Sequence, residues 1–583
     1  MAFTETAGTI LAVDFGTAST RASLFDVVEG VYRFVAGGEA PSSVEPPYLD
    51  AAEGMRQALH NLQQVTGRQM LDDDGAHLMM PMTADGHGCD SFVATASAGP
   101  AVRALLVGLL PEASVESARR TAMQSYIQVV ETISLGDRRR EGQMLDAILA
   151  AKPELVFITG GTDNGASDAV LKLTEIVALA FQLLPRNTRL KVLYAGNPAL
   201  AEKVDALLGG MAMVKTAPNV QPELGEEVLG PARHSLGEIF DDIRSAQIGG
   251  FSDIAQWAGG HIRPTAQAAG QTIRFLSRTY GARKAALGVD VGSASTVVAA
   301  AFDGELILRV RPDLGLGLNA AGALAEMPFD QFLRWLPFEA SENAVREFVL
   351  NKAAYAHTIP ADENDLYFEH ALAREIIRAA VRGARPYWPP ARLARSGRLP
   401  WFDCLVGSGA VLGSAPKPGL AALLLLDALQ PAGVTSLLLD QYHLTAALGA
   451  IAYQNPVAVA QLIGTGTLLH IGTALAAVGS ARPGEVVGKA RLVYENGTDL
   501  QAEIRFGTIE VLPLPPGQVG KLTIQPRLGF DFGFGSALRR SLQVEGGAAG
   551  VMIDARGRPI QFPASAEKRY EAVRGWIWKA SGL

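Results

Sequence analysis

The sequence predicts a mixed α/β protein of two lobes, with a parallel α/β unit inserted in the chain between them and a β-rich C-terminal domain. Three observations lead there. Residues 11–25 and 287–302 read almost alike: an apolar strand, then Asp-x-Gly-Ser/Thr-Ala-Ser-Thr, then a second apolar strand. Residues 155–216 alternate strand and helix patterns as βαβαβ, the signature of a parallel sheet. Beyond residue 480 the pattern becomes short strands of alternating polarity, separated by Asn-Gly and Pro-Pro-Gly turns.

The repeated stretch has the chemistry of a hairpin that grips phosphate. Gly16 and Gly292 permit a tight turn and a close backbone approach. Turn amides and the small hydroxyl residues Thr17, Ser19, Thr20, Ser293, Ser295 and Thr296 can face an anion. Asp14 and Asp290 end the first strands, where a carboxylate can hold Mg²⁺ through water. One such turn is a common connection between strands. Two with the same order of residues, about 275 positions apart, are a pattern.

Composition bounds the rest. A chain of 583 residues exceeds what one core supports and is expected to divide into domains. With 48% apolar and 19% charged residues it can bury large cores. A net charge of −8 without a long basic run argues against a nucleic-acid partner. Two cysteines, Cys89 and Cys404, give no disulfide framework and suit a reducing compartment. Residues 1–8 lack a basic region ahead of an apolar core, so no secretion signal is expected. The apolar stretches 420–439 and 462–479 are interrupted by Asp427, Pro431, His470 and several glycines, and read as buried elements rather than membrane spans. A cytoplasmic location follows as the expectation.

In chain order, the first hairpin and a strand at 30–36 precede a helix over 50–65. Residues 72–90 hold an acidic triplet and the group His87, Cys89, Asp90, without a second cluster at zinc spacing. A helix is expected from about residue 100. Then come strand 155–158, a Gly-rich loop at 160–165, helix 166–184, strand 191–195, helix 198–208 and strand 213–216. The loop lies at a strand's carboxyl end, where such sheets bind ligands. Helices around 231–244 and 262–280 lead into the second hairpin. A Gly-spaced loop at 309–319 can bring amides to a ligand, 363–384 is an amphipathic helix, and 386–400 is a Pro/Arg-rich loop. Tail strands are expected at 489–494, 500–506, 508–512 and 521–525, with a late hairpin turning through Arg556 and Arg558 at the surface. The expected domains are 1–98 for the first lobe, 99–218 for the insert, 219–460 for the second lobe and 461–583 for the β-rich appendage.

The paired hairpins resemble the two phosphate loops of the actin, sugar-kinase and heat-shock-chaperone ATPase superfamily. That resemblance implies ribonuclease-H-like lobes with ATP between them. It also implies an adenosine loop after a strand, the place taken here by 402–413 with Gly407, Ser408 and Gly409. Within the superfamily the order of landmarks resembles the MutL or GlmL family, accessory proteins of glutamate mutase and distinct from the mismatch-repair protein of that name. The matching pieces include Asp14-Phe-Gly-Thr-Ala-Ser-Thr-Arg21, Thr159-Gly-Gly-Thr-Asp-Asn-Gly165, Asn219-Val-Gln-Pro-Glu-Leu-Gly225 and Asp290-Val-Gly-Ser-Ala-Ser-Thr296. Three positions depart from the family pattern: Arg21 stands for Lys, Val297 for Asp, and Ala410 for Gly.

The resemblance implies an ATP-binding, slowly hydrolysing protein that serves a cobalamin-dependent mutase. Asp14 and Asp290 then position Mg²⁺ and the attacking water, while Arg21 and the loop hydroxyls face the γ-phosphate. The chain lacks the Asp-x-His-x-x-Gly pattern of cobalamin ligation and is not expected to be the mutase. Two other functions fit the same elements. One is a small-metabolite kinase whose inserted unit binds the acceptor; the other is a non-catalytic scaffold that self-associates as actin relatives do.

Overall fold

The structure is a computed structural model that describes residues 8–185, 190–281, 283–393, 397–535 and 539–582. Most of the N-terminal stretch (1–7) and the centre of the Pro/Arg-rich loop (394–396) lie outside the described residues. Strands are numbered along the chain. The first group is β1 (Ile10–Phe15), β2 (Ser19–Val28), β3 (Val31–Pro41) and β4 (Ser91–Ala96). Five short strands follow: β5 (Val102–Gly108), β6 (Ile127–Ser134), β7 (Leu155–Ile158), β8 (Lys191–Tyr194) and β9 (Met213–Thr216). Next come β10 (Arg263–Pro264), β11 (Ala285–Val291), β12 (Thr296–Phe302), β13 (Glu305–Arg311), β14 (Cys404–Ser408) and β15 (Gly433–Leu439). The C-terminal part supplies β16 (Leu469–Ala476), β17 (Val486–Val493), β18 (Asp499–Arg505), β19 (Ile509–Leu512), β20 (Val519–Pro526), β21 (Arg540–Glu545) and β22 (Gly550–Asp554).

The two lobes repeat one topology. In the first, β3, β2 and β1 form an antiparallel meander, and β4 and β10 continue the sheet parallel to β1. In the second, β13, β12 and β11 form the same meander, and β14 and β15 continue it parallel to β11. Each meander begins with a repeated hairpin, so the likeness visible in sequence is a likeness of whole sheets. The lobes meet where helix Thr265–Thr279 crosses helix Thr445–Ala452. A Cβ on Gly449 would overlap the Ala268 carbonyl there, so only glycine allows the crossing this close. Thr272 Oγ1 donates to the Thr445 carbonyl at 2.7 Å across it.

The inserted unit is a five-stranded all-parallel sheet in the order β6-β5-β7-β8-β9. This is a doubly wound order, with helices on both faces. Its first strand corrects the expected helix from residue 100: Val102–Gly108 is a buried apolar run paired on both sides. Short apolar runs of this kind do not reveal their period, because all positions but Arg103 are buried. The loop at 160–165 is tied down from within. Asn219 Nδ2 donates to the Gly161 carbonyl and to Asp163 Oδ1, both at 2.9 Å, and Asn197 Oδ1 accepts from Asn164 N.

The tail divides between two sheets. β18, β17, β20 and β21 form a four-stranded antiparallel sheet of their own, while β16, β22 and β19 extend the second lobe's sheet beyond β15. The expected late hairpin is therefore absent, since β21 and β22 belong to different sheets. Arg556 and Arg558 are buried rather than exposed. Arg556 bonds Asp427 (2.6 Å) and Asp554 (2.8 Å), Arg558 bonds Asp554 (2.8 Å), and Arg374 closes on Asp427 (2.7 Å). Paired charges of this kind tolerate burial where single ones do not.

The stretches tested for membrane spans resolve into helix Pro418–Leu429 with β15, and into β16. Among the described residues no helix is long and apolar enough to cross a membrane. Cys89 is buried, and burial with Asp90 nearby pushes its thiol up to about 12. Among the described residues no cluster of His, Cys, Asp and Glu could hold a metal ion by itself.

Candidate functional site

Both hairpin turns close in the same way. Gly16 N donates to the Ser19 carbonyl at 2.9 Å, and Gly292 N to the Ser295 carbonyl at 2.9 Å. A Cβ would lie 2.8 Å from the Ser19 oxygen at Gly16, which would force the first turn open, and 3.1 Å from the Ser295 oxygen at Gly292, a tight contact that would push on the second. The turns face one cavity of about 730 Å³ between the lobes, with Asp14 and Asp290 in its wall.

Most of the sequence-predicted residues meet there. Gly16, Thr17, Ser19 and Arg21 line the cavity from the first lobe, and Gly292, Ser293 and Ser295 from the second. Ser408 and Gly409 come from the turn after β14. Gly409 has φ +94°, and a Cβ there would overlap the Val291 carbonyl, so this turn lies directly on the second hairpin. Thr20, Thr296 and Gly407 do not line the cavity, which corrects their expected role. Side chains alternate across a strand, so residues one step from the lining positions face the core. Thr20 is buried against the helix Ala51–Thr66, Thr296 Oγ1 donates to the Leu314 carbonyl (2.9 Å), and Gly407 packs against Leu412 and Leu425. The 309–319 loop reaches the cavity through Leu316 and Gly317, but their amides are spent on the hairpin: Leu316 N and Gly317 N donate to the Gly292 and Ser293 carbonyls, each at 2.9 Å.

The carboxylates are held differently. Asp14 Oδ1 accepts from Thr95 Oγ1 (2.6 Å) and Thr265 Oγ1 (2.7 Å), which fixes its side chain from β4 and from the start of helix Thr265–Thr279. Among the described residues no hydrogen-bond donor reaches Asp290. Burial, with Asp440 and Asp14 nearby, pushes Asp290 up to about 7 against the opposing pull of Arg21. Asp440 itself is enclosed, accepting from Leu444 N (2.6 Å), Thr445 N (2.8 Å) and Ser408 Oγ (3.1 Å).

Several lining residues were not singled out by the sequence. Glu39 forms an ion pair with Arg21 at 3.0 Å. Burial works to raise its carboxyl, but Arg21 and the Ser19 hydroxyl outweigh that and hold it below the ordinary range. His443 lines the cavity with φ +57°, and burial beside Arg21 holds its imidazole below the usual value. From the second lobe Lys352 and Glu369, both 8% exposed, form an ion pair at 2.6 Å in the cavity wall. Next to them His370 is buried and pushed down to about 3 by burial and Arg374. One sequence signal existed for this group: charged residues fall on the buried face of helix Glu363–Ala384. Glu39 gave none, because its role depends on the pairing of β2 with β3.

Two lobes of one topology, joined by crossing helices and presenting twin hairpins to a shared cleft, define the two-lobed actin-like ATPase fold. Residues 10–466 match the family described as MutL protein, and the chain belongs to that family. A curated relative is Protein MutL of Clostridium tetanomorphum, 22% identical over 398 residues, covering 62% of this chain and 83% of the relative. Among solved structures, nucleotide-free acetone carboxylase is similar at 13% identity, covering 85% of this chain and 81% of that one, with a TM-score of 0.37. The activator of 2-hydroxyisocaproyl-CoA dehydratase from Clostridium difficile, solved with bound ADPNP, is similar at 9% identity, covering 77% and 95%, with a TM-score of 0.24.

Proposed function

We propose that the cleft binds ATP with magnesium and hydrolyses it slowly, and that the chain is an accessory protein of a cobalamin-dependent mutase. Glutamate mutase is the partner suggested by membership of the MutL family. The observation that carries the nucleotide reading is the pair of equivalent hairpin turns facing one cavity, each preceded by a carboxylate in its wall.

The donor set fits magnesium. Two carboxylates, one with an oxygen unengaged and one with no hydrogen-bond donor, match an ion that takes one or two carboxylates and completes its shell with phosphate and water. Asp14 and Asp290 would hold it, and it would supply neutralisation of phosphate charge. The turn amides of both hairpins face the phosphates, and Arg21 stabilises charge on the terminal one. The Lys352–Glu369 pair and the turn at Gly409 line the same cavity from the second lobe, where they would contact the nucleoside. Hydrolysis loosens the tie between the lobes and releases the partner, as nucleotide switches do.

Calorimetry with ATP and Mg²⁺ on the parent, Asp14→Ala and Asp290→Ala tests the reading. Clear binding to the parent and at least about tenfold weaker binding to each variant is expected, the loss of one charged contact. Unchanged affinity in both variants would remove the metal and phosphate assignments. Phosphate release without an acceptor separates this function from a metabolite kinase, and nucleotide binding separates it from an inert scaffold. Stimulation of phosphate release by a purified cobalamin-dependent mutase tests the partner.

A further inference from the structure

The two hairpins are equivalent in their turns but not in the charges beside them. On the first sheet Asp14 lies opposite Arg21, and Arg21 opposite Glu39, across three neighbouring strands. Residues directly opposite one another share a face, so acid, base and acid stand side by side toward the cleft. The same positions on the second sheet are Asp290, Val297 and Val310. Among the described residues lining the cavity Arg21 is the one arginine, the second hairpin has no cation at the matching position, and Arg21 already has a partner.

The partnership is partial. Arg21 reaches Glu39 at 3.0 Å through one terminal nitrogen, while its Nε is buried and has no hydrogen-bond partner among the described residues. Glu39 is half-exposed on the cleft wall, and its backbone carbonyl is pinned by Asn61 Nδ2 at 2.7 Å. A guanidinium takes phosphate or carboxylate with the same planar fork. A terminal phosphate and the Glu39 carboxylate therefore compete for Arg21.

We propose that Glu39 is a specificity-determining residue that sets how strongly the cleft prefers a nucleoside triphosphate over a diphosphate, by holding Arg21 until a terminal phosphate takes it. The proposal rests on the nucleotide reading of the cleft. The triphosphate must displace the Glu39 contact, whereas a diphosphate, lacking the terminal group, leaves it in place. Glu39 thus weakens the triphosphate selectively and keeps the two nucleotides closer in affinity than Arg21 alone would.

The test is calorimetry on the full chain with Mg²⁺ and either ADPNP or ADP. Glu39→Gln keeps the side chain's shape and removes its charge. It is expected to tighten ADPNP binding about fivefold, the upper value of a half-exposed ion pair, while ADP changes less than about twofold. Arg21→Gln is expected to weaken ADPNP, and Glu39→Gln is expected to add nothing in that background. Equal shifts for both nucleotides, weaker ADPNP binding, or a Glu39→Gln effect that survives without Arg21 would each overturn the proposal while leaving the cleft intact. Failure of the parent to bind either nucleotide would instead overturn the nucleotide reading, and this proposal with it. Unchanged thermal unfolding of Glu39→Gln confirms that the fold is not what moved.

Discussion

At the scale of single residues, the cleft is a place where carboxylates crowd without enough cation. Asp290 shows the consequence: burial and its acidic neighbours raise it to about 7. An unfolded chain loses that proton near pH 4, at the ordinary carboxylate value of about 3.9. Between those values the folded form binds the proton and the unfolded form does not, so stability falls as pH rises from about 4 through about 7. In chelator-treated protein, Asp290→Asn is expected to be more stable than the parent at pH 8, on the order of 2 kcal/mol, with the difference shrinking toward pH 5. Urea midpoints at the two pH values measure it, and parallel pH slopes in parent and variant would refute it. Magnesium with nucleotide is expected to erase the difference in slope for the parent, since a bound cation favours the charged carboxylate.

At the scale of elements, period-2 alternation decided which residues of each hairpin reach the cleft. The sequence shows Ser, Thr and Arg in a row, but pairing of β1 with β2 sends Ser19 and Arg21 to one face and Thr20 to the other. The motif was legible; its division between site and core required the pleat. The turn after β14 makes a sharper demand. Gly409→Ala places a side chain at φ +94° against the Val291 carbonyl. It is expected to cost at least ~1 kcal/mol of stability and to weaken nucleotide binding. Thermal unfolding and calorimetry check both parts, and a variant with parental stability would show that the turn relaxes freely. Helices with clear periodicity and terminal signals, such as Glu363–Ala384 with its Asp362 cap, stood where the sequence placed them. The strand Val102–Gly108 did not, because a run buried on both faces except at Arg103 carries almost no periodic mark.

At the scale of the molecule, the C-terminal region is part of the second lobe as well as an appendage to it. β22 lies between β16 and β19 in the eight-stranded sheet, and the residues just after it carry Arg556 into the buried group with Asp427, Asp554, Arg374 and Arg558. Arg556→Met removes the arginine that bridges the two carboxylates and leaves each with a single arginine, Asp427 with Arg374 and Asp554 with Arg558. It is expected to destabilise the fold by about 1.5–3 kcal/mol through the lost charged hydrogen bonds, seen as a lower chemical-denaturation midpoint. A change below about 1 kcal/mol would mean that the apolar side chain packs well enough to offset the lost charge. The group also joins helix Pro418–Leu429 to the tail, so this loss should be felt by the second lobe rather than by the four-stranded sheet alone.

The sequence by itself determined the twin hairpins, their carboxylates, the parallel inserted unit and the family, because each is a local order of residues or a short-range period. Only the tertiary structure decided that Glu39, His443, Lys352 and Glu369 stand in the same cleft, that three expected ligands face the core, and that two arginines in the tail are buried. Those facts depend on which strands pair and which helices cross, contacts between residues tens to hundreds of positions apart. Burial and charge pairing are properties of such contacts, and no local pattern carries them.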